Sequence, residues 1–270
     1  MPRTRTYGLD VDTIAYAARV KAGSGVTILP EPLKQLNKFI VGIKKLGLWS
    51  SMVCWPMRSI HNAGTGTTVY SLGGLGTYNG TMTNSPTWGF NGVSFIASSY
   101  INVANTAVIT SGSGSFSIGV LARSSISSTS DSTARLLMTK ADIFNLGFNQ
   151  FNLYGRNTFN GLVFRLQGDT QYSTQQAANL WNNTFKVIQA EATSGGPYSL
   201  NSSGVTAATT SHTSVYNLQN DINIRIGGNT YATNWDGEIG FAFYMKRTGY
   251  ITLIETLLRQ TIGSSYSIKY

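Results

Sequence analysis

Apolar positions follow two different periods along this chain. In the first fifth the period is helical. Residues 10–22 predict a short helix: Asp10 or Asp12 can cap it, Ile14, Ala17, Ala18 and Ala22 share a face, and Gly23 stands where it would end. A Gly-Ser-Gly joint follows, then a stiff Leu-Pro-Glu-Pro entry whose Pro32 suits a first helical turn. Leu33, Leu36, Phe39, Ile40, Ile43 and Leu46 then recur at helical spacing, with Lys34, Lys38, Lys44 and Lys45 mostly off that stripe, and Gly47 ends the run. Two short amphipathic helices bury little alone. Their stripe must pack on the other helix, on the rest of the chain or on a partner.

Beyond Trp49 the period shortens to that of strands. Strand-like runs cover 68–72, 77–83, 93–97, 100–103, 115–123, 135–139, 143–148, 151–154, 162–166, 184–191, 221–226 and 238–245. In one of them Phe116, Ile118, Val120 and Ala122 alternate with Ser115, Ser117, Gly119 and Leu121, which predicts one well-buried face. Gly73-Gly74, Asn79-Gly80, Asn91-Gly92, Asn160-Gly161, Gly195-Gly196 and Gly227-Gly228 punctuate the runs. A dozen short strands at this spacing predict a β-sandwich or jelly roll. The ten residues Ile251 to Gln260 read as a closing helix. The fold class is therefore mainly β, with a small helical segment (1–48) before a sandwich (51–270).

Composition sharpens this picture. Only 11% of the 270 residues are charged, whereas Ser (29), Thr (31) and Asn (21) are abundant. A neutral, hydroxyl- and amide-rich surface excludes helical bundles and coiled coils. The net charge of +9 is uneven, because the first 58 residues hold nine Lys/Arg and three acids. Such a patch is either a solvated helix face or a dock for an acidic partner. Aromatic and basic residues are segregated, so nucleic acid is not an expected partner. A single cysteine, Cys54, excludes an intrachain disulfide and reads as a small buried hydrophobe. No apolar run is long enough to span a membrane, and the basic N-terminus lacks the apolar core of a signal peptide.

Several motifs resemble a known fold family. The run Asp221-Ile-Asn-Ile-Arg-Ile-Gly-Gly-Asn, then Trp235-Asp-Gly-Glu-Ile-Gly-Phe-Ala-Phe-Tyr244, then a helix with Ile254, Glu255, Leu257 and Leu258, resembles the end of concanavalin A-like (laminin-G-like) lectin jelly rolls. Trp88-Gly-Phe-Asn-Gly-Val-Ser-Phe95 followed by Tyr100-Ile-Asn-Val103 is similar to a pair near the start of such domains. Two helices, then Leu-Gly-Leu-Trp-Ser and Cys54-Trp-Pro-Met leading into a jelly roll, resemble jelly-roll proteins of tailed-bacteriophage virions. That resemblance implies a structural virion protein, made in the host cytoplasm and displayed on the particle surface as a capsid decoration, head fibre or tail component. Its expected partners are other virion proteins and further copies of itself, with host or environmental glycans bound weakly. It would dock through Leu33, Leu36, Phe39, Ile40, Ile43 and the lysines 34, 38, 44 and 45. A stand-alone glycan-binding lectin or adhesin is the alternative, and a glycoside hydrolase the third reading.

The candidate chemistry favours binding over catalysis. A sugar site wants aromatic faces beside amides and carboxylates, and Trp181, Asn182, Tyr231, Asn234, Trp235 and Asp236 supply these in predicted loops. Asp236 and Glu238 form the nearest carboxylate pair, without the strand motif of sandwich glycosidases. His61 and His212 read as surface-loop residues, with no nucleophile elbow nearby. No cofactor is expected. A calcium ion, if one is held, would draw on Asn229, Asn234 and Asp236, although no calcium-loop motif is present.

Overall fold

Both periods are realised in the computed structural model of the chain, which describes residues 8–96, 98–106, 114–124, 134–140, 150–156, 161–167, 171–177, 183–203, 205–210, 223–229 and 235–266. Two helices, α1 (Val11–Ser24) and α2 (Pro30–Lys45), come first. Asp10 caps α1 by accepting from the Asp12 amide at 2.9 Å. The helix runs past Gly23 and ends at Gly25, whose φ of 76° suits the left-handed terminating position. The face that α1 turns inward is not the expected one. Thr13, Tyr16 and Val20 are buried, while Ile14, Ala18 and Ala22 are exposed. Tyr16 fits this inward face because its ring is buried while its hydroxyl reaches the His61 carbonyl at 2.8 Å.

Sixteen strands follow among the described residues. The first sheet contains β1 (Met52–Pro56), β4 (Thr87–Trp88), β5 (Val93–Phe95), β7 (Phe116–Ser124), β12 (Lys186–Ala192), β13 (Tyr198–Ser202), β14 (Val205–Thr210) and β16 (Gly237–Met245). The second contains β2 (Thr68–Val69), β3 (Gly80–Thr83), β6 (Tyr100–Val103), β8 (Ala134–Lys140), β9 (Gln150–Arg156), β10 (Gly161–Gln167), β11 (Gln171–Ala177) and β15 (Ile224–Ile226). Every pairing is antiparallel. The orders are β14-β13-β12-β7-β16-β5-β4 and β11-β10-β9-β8-β15-β6-β3-β2. β16 pairs with β7 along one side, and with β5 and then β1 along the other. A last helix, α3, spans Ile251–Gln260 as the sequence predicts. The run 143–148 lies outside the described residues.

The two sheets enclose one core. Phe116 is its centre, 5.5 Å from Phe151, 6.3 Å from Phe164 and 6.0 Å from Tyr244 between ring centroids. A second core lies on the other side of the first sheet. There Leu121, Val187, Phe241, Phe243 and Met245 meet Tyr16 and Val20 of α1, Leu36, Phe39, Ile40 and Ile43 of α2, and Ile254 and Leu258 of α3. Phe39 packs edge-to-face on Phe241, 5.1 Å between centroids. The face of β7 opposite its core face is therefore also buried, contrary to the one-faced expectation. This explains Gly119: a Cβ there would stand 2.3 Å from the Phe243 ring. A bulge at Gly240 of β16 shifts the alternation, so Ile239 and Ala242 face the inter-sheet core while Phe241 and Phe243 face the helices.

This packing corrects the docking expectation. Leu36, Phe39, Ile40 and Ile43 have no exposed surface, and Leu33 packs on the same cluster. Of the basic residues, Lys44 is bound to Asp10 and Asp12 at 2.6 and 2.5 Å, and Lys34 lies 3.4 Å from Glu31. Arg19 donates to the Ser71 and Leu72 carbonyls, holding α1 to the sandwich. Lys38 and Lys45 are exposed. Cys54 is buried as expected, and burial pushes its thiol pKa well up. No helix among the described residues is long and apolar enough to cross a membrane.

His61 departs from its surface-loop expectation; His212 lies outside the described residues. The His61 ring is buried, with Nε2 2.7 Å from Gln35 Oε1 of α2, and the Tyr16 hydroxyl donates to its carbonyl at 2.8 Å. Burial, with the nearby positive Arg58, lowers its pKa to about 3. Below pH 6.5 the unfolded chain takes up a proton that the folded chain refuses, so stability is lost as pH falls from 6.5 towards 3. The slope is about 1.4 kcal/mol per pH unit. Urea unfolding is expected to show His61→Gln losing roughly 2–3 kcal/mol less than the parent between pH 7 and 4.5. Equal losses in both proteins would refute this assignment.

Candidate ligand-binding cleft at the end of the first sheet

Beyond the helical cover, the outer face of the first sheet turns polar. Arg123 on β7 stands opposite Glu238 on β16, Glu238 opposite Ser94 on β5, and Ser94 opposite Thr87 on β4. The row thus crosses four strands and ends at the exposed Thr87. Arg123 donates from Nε to Glu238 Oε2 at 2.8 Å, and its guanidinium carbon lies 5.1 Å from the centre of the Phe185 ring. Both charged side chains remain partly open to solvent, at 30% and 20% exposure.

Ser94, Ile96, Arg123, Asn183 and Glu238 line a shallow cleft of about 220 Å³ here, with Phe95 and Gly237 beneath. That is smaller than the roughly 300–1,000 Å³ of pockets for drug-sized ligands, and suits a fragment about the size of one sugar ring. Its rim is partly apolar: Ile96 is 60% exposed. Two chain segments converge at this spot. Asn183 closes the Trp181-Asn182-Asn183 stretch, and Trp235-Asp236-Gly237 leads into β16.

The expected site residues fare unequally. Trp235 is not an open aromatic platform but part of the core, 1% exposed. Its indole N–H donates to the Arg123 carbonyl at 3.0 Å, and its amide donates to the Gly227 carbonyl at 2.7 Å. A side chain with one apolar face and one donor fits where β7, β16 and the turn after β15 meet. Gly237 allows this closeness, since a Cβ there would be 2.1 Å from the Arg123 carbonyl oxygen. Asp236 does not line the cleft, and its carboxylate is engaged by Arg135 of the second sheet. Trp181, Asn182, Tyr231 and Asn234 lie outside the described residues.

Asp236 and Glu238 do not form an acid–base pair: each is engaged by its own arginine, on different sheets. The calcium expectation finds Asp236 facing a guanidinium and Asn229 buried. Among the described residues, no three His, Cys, Asp or Glu side chains cluster as a metal centre would need. Sequence reasoning missed Arg123, Ser94 and Ile96 as site residues. Arg123 on β7 and Ser94 on β5 are brought to the cleft by their strand register with Glu238, and Ile96 follows directly after β5.

No protein-family model matches the chain, and no curated protein matches it in sequence. Among solved structures, the binding domain of botulinum neurotoxin serotype D is similar at a TM-score of 0.54 and 11% identity, over 80% of this chain and 52% of that one. A carbohydrate-binding module of the Ruminococcus gnavus IT-sialidase (CBM40), bound to α2,3-sialyllactose, follows at 0.49 and 14%, over 61% and 94%. Domain 4 of AbnA, a GH43 extracellular arabinanase from Geobacillus stearothermophilus, in complex with arabinotriose, stands at 0.46 and 12%, over 76% and 87%. The likeness to the toxin binding domain concerns the fold alone: a mainly β sandwich of two antiparallel sheets, here with N-terminal helices.

The burial of Trp235 has a direct consequence. Trp235→Ala is expected to destabilise the protein by about 3–5 kcal/mol, the cost of an emptied aromatic core site. The loss should appear in urea unfolding without any ligand. A stability within about 0.5 kcal/mol of the parent, as surface changes give, would contradict its place in the core.

Proposed function

We propose that this chain is a carbohydrate-binding module of lectin type, with the cleft at the end of the first sheet as its sugar site. One observation carries the reading. At a shallow cleft the register of β7, β16 and β5 brings together a carboxylate, a guanidinium, a hydroxyl and, from Asn183, an amide, beside an exposed apolar rim. Sugars offer the complement: hydroxyls that both donate and accept, and a C–H face that is apolar. The similarity to a toxin binding domain above supports a binding role through fold alone.

Display on a bacteriophage particle is the leading expectation from the sequence, with a stand-alone lectin as its alternative, and the carbohydrate-binding reading is that alternative. The apolar stripe of α2 cannot serve display, being buried against the chain's own sheet. Any attachment to a particle would use another surface.

The test is binding of the purified full chain to an array of immobilised glycans. At least one glycan class is expected to bind. Glu238→Gln and Asn183→Ala are expected to weaken that binding by about tenfold or more, the effect of losing one hydrogen bond to a charged or amide group. An array without a hit would overturn the carbohydrate reading. A hit untouched by either substitution would move the site elsewhere.

A further inference from the structure

The turn beside the cleft holds an exposed aromatic ring and is pinned by hydrogen bonds. Phe90 sits in the turn between β4 and β5 and is 62% exposed. The turn is closed by the Gly89 amide donating to the Gly92 carbonyl at 2.8 Å, and anchored by the Ser59 amide donating to the Gly89 carbonyl at 3.0 Å. Beneath it Arg58 is wholly buried, donates from Nε to the Phe90 carbonyl at 3.0 Å, and places its guanidinium carbon 4.8 Å from the centre of the Phe90 ring. Burying a guanidinium is costly. Rigidity at such a spot favours binding, because a preorganised platform loses little entropy when a ligand lands on it. The turn adjoins the site: a Cβ on Gly89 would lie 3.8 Å from Glu238 Oε1. Ile96 lines the cleft and Phe90 stands on the adjoining turn, and both side chains are exposed.

The charge at the cleft narrows the ligand further. Arg123 is already committed to Glu238 at 2.8 Å and to the Phe185 ring. A ligand carboxylate seeking that guanidinium would have to displace Glu238 or sit beside it, and two carboxylates on one guanidinium repel. A neutral pair of hydroxyls meets no such conflict: one can accept from the guanidinium while the other donates to the carboxylate.

Resting on the carbohydrate reading above, we infer that the cleft takes a neutral sugar ring, stacked by its C–H face on Phe90 with its hydroxyls on Glu238 and Arg123, and disfavours acidic sugars. The test uses the full chain and matched probes: galactan, arabinan, mannan and β-glucan oligomers against galacturonic acid oligomers and sialic acid, by titration calorimetry. At least one neutral oligomer is expected to bind, and the acidic probes at least about tenfold more weakly. Phe90→Ala should reduce neutral binding by about tenfold or more and Phe90→Trp should keep it. Thermal unfolding of Phe90→Trp should match the parent, whereas Phe90→Ala, which strips the ring from Arg58, should unfold slightly earlier while staying folded at the temperature of the titration. Neutral binding unchanged by Phe90→Ala, or acidic probes bound as well as neutral ones, would overturn this inference and leave glycan binding standing. Binding by none of the probes would overturn it too, and an array without a hit would then remove the carbohydrate reading as well.

Discussion

The outer face of the first sheet cannot face water. Leu121, Phe241, Phe243 and Met245 project from it, next to Met52 and Cys54 of β1, and all are wholly buried. Covering each such side chain is worth roughly 1.5–3 kcal/mol. α1, α2 and α3 supply the cover, and much of the rest follows from it. The stripe of α2 is inside, with Phe39 against Phe241. The ion pairs of Lys44 and the bonds from Arg19 fasten the helices to each other and to the sandwich. His61 and Gln35 meet in the same layer, away from water. Of the charge that looks like a basic docking patch in the sequence, Arg19, Lys44 and Arg58 are spent on internal fastening, while Lys21, Lys34, Lys38 and Lys45 remain exposed.

The same constraint positions the cleft. Where the helical layer stops, the outer face no longer needs apolar residues, and the row Arg123, Glu238, Ser94 and Thr87 begins. Trp235 closes the sheet end from beneath and ties its indole to the backbone of Arg123. The Phe90 turn is braced from below by Arg58. The polar groups of the cleft therefore stand on strands and on a pinned turn, which holds them in place before any ligand arrives.

Much of the architecture was legible in the sequence. The periodicity of 33–46 marks α2, the Asn91-Gly92 turn marks the β4–β5 hairpin, and Ile251 to Gln260 matches α3 to the residue. What misled was anything settled by partners distant in sequence. The inward face of α1 depends on Tyr16 finding the His61 carbonyl 45 residues away. The double burial of β7 depends on helices nearly a hundred residues upstream. Strands β1, β4, β11, β13 and β14 were not anticipated; β11 and β14 are rich in Gln, Ser, Thr and Ala, and register alone makes them strands. At the cleft, Glu238 stands out in the sequence only as half of a carboxylate pair with Asp236, which does not line it. Trp235 was misjudged because an indole suits a core and a sugar platform equally. Phe90 and Arg123 carry no local signal at all.

The central claim is that helices and sheets form one cooperative unit, the first sheet depending on its helical cover. Native-state hydrogen exchange measures this directly. The account expects the amides of Phe39 to Ile43 in α2 and of Phe241 to Tyr244 in β16 to open with the same free energy, within about 1 kcal/mol of global unfolding. Exchange of α2 through a separate opening several kcal/mol easier than that of β16 would show the helices to be an appendage, and would contradict the account.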